Sequence, residues 1–192
     1  MTRRPCSCSV ALAPVRAEPR EDAEQVTQLL HGEPVWVLGE RDGWAGIETA
    51  YGYPGWARAD ALRGRPVEAP WPAATGDDVL AEARAYLGAP YEWGGMSERG
   101  IDCSGLVHMA FRRVGIVVPR DSWQQEEAGE PVPEGKLEPA DVLCYPGHVA
   151  FWVGEGGVLH ASGRAGVGRV VEEPEPAELA AERRSARRFR RK

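Results

Sequence analysis

At 192 residues the chain has room for one large domain or two small ones, and 43% hydrophobic residues is enough to bury a real core. A net charge of −6 argues against nucleic acid as the partner, because phosphate binding needs a basic field. No apolar run approaches ~20 residues, so the sequence offers no membrane-spanning helix.

The start, Met1-Thr2-Arg3-Arg4 followed by Pro5 to Val10, lacks the apolar stretch of a secretory leader. The expectation is a cytoplasmic protein, or an exported one if the true start lies elsewhere. Of the four cysteines, Cys6 and Cys8 are too close to bridge each other and fall in an expected N-terminal strand. The set is not a disulfide framework, which fits a reducing compartment. The basic run Arg183, Arg184, Arg187, Arg188, Arg190, Arg191 and Lys192 reads as a solvated tail or an edge strand, with a polyanion site as the alternative.

Residues 1–65 read as a small all-β domain. Short apolar runs (Ser9 to Leu12, Gln25 to Leu30, Pro34 to Leu38, Trp44 to Ile47, Gly55 to Ala57) alternate with turns at Gly32, Gly39, Asp42-Gly43, Gly52 and Pro54. Val35 and Val37 alternate with Trp36 and Leu38, so that strand is expected to be covered on both sides. Residues 66–75 form the expected linker, stiffened by Pro66, Pro70 and Pro72, with Trp71 packed on one domain.

Residues 76–192 form the second domain. Asp77 and Asp78 mark a helix start, Leu80, Ala83 and Leu87 give its apolar stripe, and Gly88 ends it. A second helix is predicted from Ser104 to Val114. Strands follow at Asp141 to Tyr145, His148 to Val153, Val158 to Ser162 and Arg169 to Val171. A short helix lies within Pro174 to Arg184, and a last strand at Ala186 to Arg190. Helices followed by an antiparallel sheet make an α+β domain.

Cys103 starts the second helix, where free amide N–H groups and the helix dipole favour a thiolate and lower its pKa. His108 lies about 140° around the helix from it, so His108 is read as a surface histidine and not a partner. A three-residue loop, Gly154 to Gly156, would set His160 opposite Ala150 and leave His148 and His160 as diagonal neighbours on one face. A two- or four-residue loop would separate them. A thiol needs a base, and the base needs a group that orients it. Cys103 is therefore the nucleophile, His148 the general base and acid, and His160 the orienting group. A zinc site from Cys103, His148, His160 and Cys144 is the competing arrangement. The preferred reading needs no metal or cofactor.

Several ordered motifs resemble the NlpC/P60 cysteine peptidases: Pro90-Tyr91-Glu92-Trp93-Gly94-Gly95, Asp102-Cys103-Ser104-Gly105-Leu106-Val107, Val118-Pro119-Arg120-Asp121-Ser122, Ala140-Asp141-Val142-Leu143, His148 to Gly154 and Leu159-His160-Ala161-Ser162. The resemblance implies a papain-like fold with permuted connectivity and a Cys103–His148–His160 triad. It further implies an oxyanion site from the Tyr91 hydroxyl and the Cys103 N–H, substrate contacts from Asp102 and Ser104, and a cleft position for Arg120. The usual glycine before Asp141 is Ala140, and the loop before His148 shrinks to Pro146-Gly147.

Ala13 to Pro19, Gly32 to Val37 and Tyr53 to Leu62 resemble a bacterial SH3 domain, an SH3-like barrel. An SH3 domain ahead of the peptidase resembles a subgroup that hydrolyses the γ-D-glutamyl–diamino acid bond of free stem peptides, L-Ala-γ-D-Glu-diamino acid. In that subgroup a tyrosine matching Tyr53 joins Asp102 and Ser104 in reading the free amine. The implied setting is cell-wall recycling. The rivals are an exported murein hydrolase, a muramoyl-alanine amidase, and a wall-binding SH3 module.

Overall fold

The computed structural model describes residues 3–64, 71–72, 74–133 and 135–190. It divides into two compact units, Met1–Trp71 with Trp93–Ser97, and Pro72–Glu92 with Glu98–Lys192. Most of the expected linker, Pro66 and Pro70 included, lies outside the described residues, as do Arg191 and Lys192.

The first unit is a seven-stranded antiparallel sheet built from β1 (Arg4–Cys8), β2 (Leu12–Arg16), β3 (Gln25–Leu30), β4 (Pro34–Arg41), β5 (Trp44–Thr49), β6 (Pro54–Arg58) and β7 (Leu62–Arg63), in the order β3-β2-β6-β5-β4-β1-β7. Alternation sends Cys6, Cys8, Val15, Leu29, Val35, Val37, Ile47 and Ala57 into one core. Cys6 and Cys8 are thus core residues. Asp42-Gly43 closes β4 to β5 as a two-residue turn with both φ angles positive, at 53° and 78°. The expectation that β4 is covered on both sides fails: Trp36 and Leu38 are 40% and 38% exposed. One face of the sheet carries the core, and the alternate residues of β4 look outward, Trp36 beside Pro5 and Glu48 on the flanking strands.

Trp71 stacks on Tyr51 at 6.0 Å, as expected of a residue held by one domain. The segment Trp93–Ser97, with β8 at Met96–Ser97, also belongs to this unit. The Gln25 amide donates to the Trp93 carbonyl at 2.9 Å, the Trp93 indole donates to Glu24 at 2.8 Å, and the Met96 N–H donates to Gln28 at 2.9 Å. Gly94 has φ +73°, and a Cβ there would lie 2.5 Å from the Gln25 carbonyl oxygen, so only glycine lets the two backbones approach.

The second unit comprises α1 (Val79–Arg84), β9 (Gly100–Ile101), α2 (Cys103–Arg113), α3 (Ser122–Ala128), β10 (Glu130–Pro131), β11 (Val142–Tyr145), β12 (His148–Gly154), β13 (Gly157–Ser162), β14 (Arg169–Pro174), α4 (Ala177–Glu182) and β15 (Ser185–Arg188). Six of its strands form a sheet in the order β10-β15-β11-β12-β13-β14. Asp78 caps α1 by accepting from the Leu80 and Ala81 N–H groups at 2.8 and 3.2 Å. The helix ends at Arg84 in tighter turns, so Leu87 leaves the stripe and is exposed, while Tyr86 is buried instead.

α2 is the central element, packed against α1, α3, β12 and β13. It is buried on every side from Cys103 to Phe111. His108 is therefore not a surface residue: it is 0% exposed, with Nδ1 2.7 Å from the Val118 carbonyl oxygen. Burial, followed by the nearby Arg112 and Arg120 charges, pushes its pKa down to about 3.

The β12–β13 hairpin differs from the expected loop. Gly154 pairs with Gly157, leaving the two-residue turn Glu155-Gly156, with φ 51° and 79°. By itself that turn would put His148 and His160 on opposite faces. The register shifts between Trp152 and Gly154, where Val153 is an extra residue on β12, and Phe151 then faces Leu159. This bulge restores the shared face.

The described part of the basic run includes a strand. Ser185–Arg188 lies inside the sheet between β10 and β11. Arg188 donates to both Asp141 oxygens, at 2.6 and 2.7 Å, and meets Glu138 at 2.9 Å. Ala140, just before Asp141, has φ +74°, a left-handed conformation that costs an L-residue about 1–2 kcal/mol. Ala140→Gly is expected to stabilise the protein by roughly 0.5–1 kcal/mol, since glycine removes that strain but brings a more flexible unfolded chain. Denaturant unfolding of the two proteins measures it; an unchanged or lower midpoint contradicts the account.

Candidate active site

Asp102 caps α2, accepting from the Gly105 N–H at 2.7 Å. Cys103 follows in the first turn, with the backbone N–H groups of Ser104 and of Val149, the residue after His148 on β12, near enough to favour its thiolate. His148 Nε2 lies 2.8 Å from His160 Nδ1, with the rings edge-on at 74°. The Tyr145 ring flanks His148 at 5.8 Å. His160 is 1% exposed, and its Nε2 lies 3.1 Å from Glu173 Oε1.

Charge at the site runs against the expected thiolate. Burial, then the Asp102 carboxylate, pushes the Cys103 thiol up to about 12, outweighing the Val149 and Ser104 N–H groups and the Arg120 guanidinium. The helix start supplies favourable donors, but a buried thiol next to a carboxylate stays protonated. Burial, then His160, lowers His148 to about 4. The resting pair is a neutral thiol and a neutral imidazole.

Tyr91 is placed by its N–H, which donates to the Gly168 carbonyl at 2.9 Å, and by its ring, which packs on Gly163, where a Cβ would lie 3.0 Å away. Burial, then Cys103 and Asp102, raises its hydroxyl to about 12, so it remains a donor.

Arg120 has a definite role in the fold. It is 2% exposed and donates to both Asp102 oxygens, at 2.9 and 2.8 Å, and to the Ser104 hydroxyl at 2.9 Å. Gln125 of α3 adds donations to the Ser104 and Pro119 carbonyls at 2.9 and 2.8 Å. Asp102 and Ser104 are thus both engaged inside the fold. Tyr53 lies in the first unit, half-buried, its N–H donating to the Thr49 hydroxyl at 2.9 Å.

The zinc arrangement does not assemble. Tyr145 pairs with His148 and Cys144 with Val149, so the Cys144 side chain lies on the other face, near Ser185, and not with the histidines. Glu173 and Gln125 were not singled out by the sequence. Glu173 was accessible to one signal, the pairing of Val158 with Glu173 and His160 with Val171, which sets Glu173 on the histidine face.

Removing one member of a buried ion pair leaves an uncompensated charge, typically at a cost of about 3–5 kcal/mol. Arg120→Met is expected to lose stability on that scale, and the double variant with Asp102→Asn to lose less than the sum of the singles. Denaturant melts of the three variants measure it; strict additivity would count against the coupling.

The description "NlpC/P60 family" matches residues 88–182, and "Bacterial dipeptidyl-peptidase Sh3 domain" matches residues 15–62. The chain is 32% identical over 158 residues to dipeptidyl-peptidase 6 of Lysinibacillus sphaericus, covering 78% of this chain and 58% of that protein. It is 28% identical over 155 residues to the gamma-D-glutamyl-L-lysine dipeptidyl-peptidase of Bacillus subtilis, covering 81% and 49%. The chain thus spans about half the length of these curated relatives. The crystal structure of the P60 domain of an M. avium subspecies paratuberculosis antigen superposes with a TM-score of 0.51 at 32% identity, covering 57% of this chain and 90% of that one. The likeness in sequence, fold and motif order places this chain in the NlpC/P60 family, with a bacterial SH3 domain in its N-terminal part.

Proposed function

We propose that the protein is a cysteine endopeptidase that hydrolyses the γ-D-glutamyl–diamino acid bond of peptidoglycan stem peptides, acting on free peptides with an N-terminal L-Ala. The observation that carries this reading is the His148–His160 pair at 2.8 Å, with the Cys103 thiol at the start of α2 facing the backbone of Val149, the residue after His148. The names of the relatives, dipeptidyl-peptidase and gamma-D-glutamyl-L-lysine dipeptidyl-peptidase, support the bond type.

In this mechanism the Cys103 thiol passes its proton to His148 as sulfur attacks the γ-carbonyl carbon. The Tyr91 hydroxyl and the Cys103 N–H hold the oxyanion, each typically worth ~3–4 kcal/mol to the transition state. His148 then gives the proton to the departing diamino acid nitrogen, leaving a γ-glutamyl thioester on Cys103. A water molecule, deprotonated by His148, attacks the thioester and frees the L-Ala-D-Glu product. Asp102 and Ser104 are proposed to meet the substrate's free amine, with the charge of Asp102 partly matched by Arg120. A peptide with a free amine is a released wall fragment, so the proposed setting is recycling inside the cell.

The charge states fix a pH dependence. The base must be unprotonated, so activity rises through the His148 pKa near 4 and falls only where Cys103 or Tyr91, both near 12, ionise. The kcat/KM profile on an uncharged-amide substrate is expected to be flat across roughly pH 6–9; a bell with both limbs inside that range contradicts the neutral pair. The proposal itself is tested with L-Ala-γ-D-Glu-diamino acid peptides, diaminopimelate and lysine forms, alongside their N-acetyl counterparts. Hydrolysis is expected for the free-amine peptides, with kcat/KM lower by 100-fold or more after acetylation, and none for Cys103→Ala. Equal rates on both forms would reject free-amine recognition, and an active Cys103→Ala would reject the nucleophile.

A further inference from the structure

The family resemblance ends the site at His160, but the hydrogen-bond chain does not end there. Glu173 on β14 accepts at 3.1 Å from His160 Nε2, and Arg164 in the turn before β14 donates to both Glu173 oxygens, at 3.0 and 3.1 Å. The register explains the placement: Val158 faces Glu173 and His160 faces Val171, so Glu173 shares the histidine face one step along the strand. Glu172, its neighbour, points the other way and pairs with Arg84 at 2.7 and 3.1 Å.

We propose that Glu173 is a positioning residue that sets the tautomers of both histidines and so leaves His148 Nδ1 as the base for Cys103. This rests on the peptidase reading above. The argument follows from donor and acceptor chemistry. An ionised carboxylate only accepts, so the proton on His160 sits at Nε2. His160 Nδ1 then offers a lone pair, and the 2.8 Å contact obliges His148 to carry its proton at Nε2. The lone pair of His148 is left at Nδ1, the ring nitrogen not engaged by His160. Without Glu173, His160 would be free to hold its proton at Nδ1 and accept one instead from solvent at Nε2. His148 would then be turned into the opposite tautomer, with its proton at Nδ1 and no lone pair for the thiol.

Arg164 has a supporting part. Burial alone would raise Glu173, but the His160 hydrogen bond and the Arg164 charge hold it below the usual carboxylate range, so it stays an acceptor. The charged groups around Glu173 are Arg164, Glu178 of α4 at 3.7 Å beyond Arg164, Glu155 in the β12–β13 turn, Glu172 on its own strand, and His160 with His148 behind it.

The test compares Glu173→Gln, Glu173→Ala and, as a control, Glu172→Gln. Two readouts are used: nitrogen-15 chemical shifts of the imidazoles, which report tautomers without any substrate, and kcat and KM across pH. In Glu173→Gln the amide can accept from His160 Nε2 or donate to it, so this variant should show partly mixed tautomers and a kcat between those of the wild type and Glu173→Ala. Glu173→Ala should show mixed His148 tautomers and lose about 100-fold in kcat at unchanged KM. Loss of the carboxylate also removes an anion that favours the protonated imidazole, so any acid limb moves to lower pH. Glu172→Gln should match the wild type. Native tautomers in Glu173→Ala overturn the proposal even if the true substrate is another peptide, because that readout needs no turnover. Mixed tautomers with unchanged kcat overturn it as well, while mixed tautomers in a protein inactive on every stem peptide count against the peptidase reading alone.

Discussion

A guanidinium that is almost fully buried must find its counter-charge inside the fold, and Arg120 finds it in Asp102, the residue that caps α2. The same guanidinium holds the Ser104 hydroxyl, and Gln125 of α3 holds the Ser104 carbonyl. Cys103 therefore sits between two residues that are both fixed, one on each side in the chain. Such a pair is weak evidence for stability, because desolvation offsets most of its attraction. Its value here is positional. A helix end would otherwise fray by a residue or so, and a thiol on the first turn would move with it.

That constraint sets the electrostatics of the site as well. Burial, and then the carboxylate that anchors the helix start, raises the pKa of the thiol, and Arg120 only partly offsets it. On the other side, burial keeps His148 unprotonated. Charge is thus absent from the resting thiol and imidazole. In the proposed reaction it would appear as the bond to the carbonyl forms, the negative charge passing to an oxygen facing Tyr91 and the helix N–H, and the positive charge to a ring backed by His160 and Glu173. Preorganised donors act most strongly in this situation, since the charge arises only where they already point.

The sequence showed what depends on period and order, and missed what depends on the third dimension. The face shared by His148 and His160 was legible, yet the loop proposed for it was one residue too long. The actual two-residue turn and the Val153 bulge make compensating changes of register, and a bulge leaves no mark in an apolar pattern. Helical geometry correctly separated His108 from Cys103 but could not say what covered the far side of α2, which is buried all round. The same limit produced the error at Trp36 and Leu38, where alternation gives two faces but not whether both are covered. Glu173 went unnoticed because the expected strand stopped at Val171, whereas β14 runs on to Pro174 and carries Glu173 on the histidine face. The segment Trp93–Ser97, assigned by motif to the peptidase, packs with β3 of the first unit through Gln25 and Gln28, contacts that no local pattern encodes.

Edge strand β14 joins these threads. An exposed edge offers unpaired backbone groups, and here the outer edge of β14 is covered at its start by the segment around Pro90. Val170 exchanges hydrogen bonds with Gly88 and Ala89, and Tyr91 donates to Gly168 just before the strand. The backbone of β14 therefore fixes the height of the Tyr91 hydroxyl. Its side chains divide by period two: Glu172 reaches Arg84 of α1, which packs on α2, and Glu173 reaches His160. One strand thus contacts Tyr91 through its backbone, and Arg84 of α1 and His160 through its two acidic side chains. A slip of one residue would put Glu172 on the histidine face and shift Tyr91 along the strand at the same time. The site's geometry is over-determined at this edge, which is why a strand that contributes no reacting atom has so exacting a register.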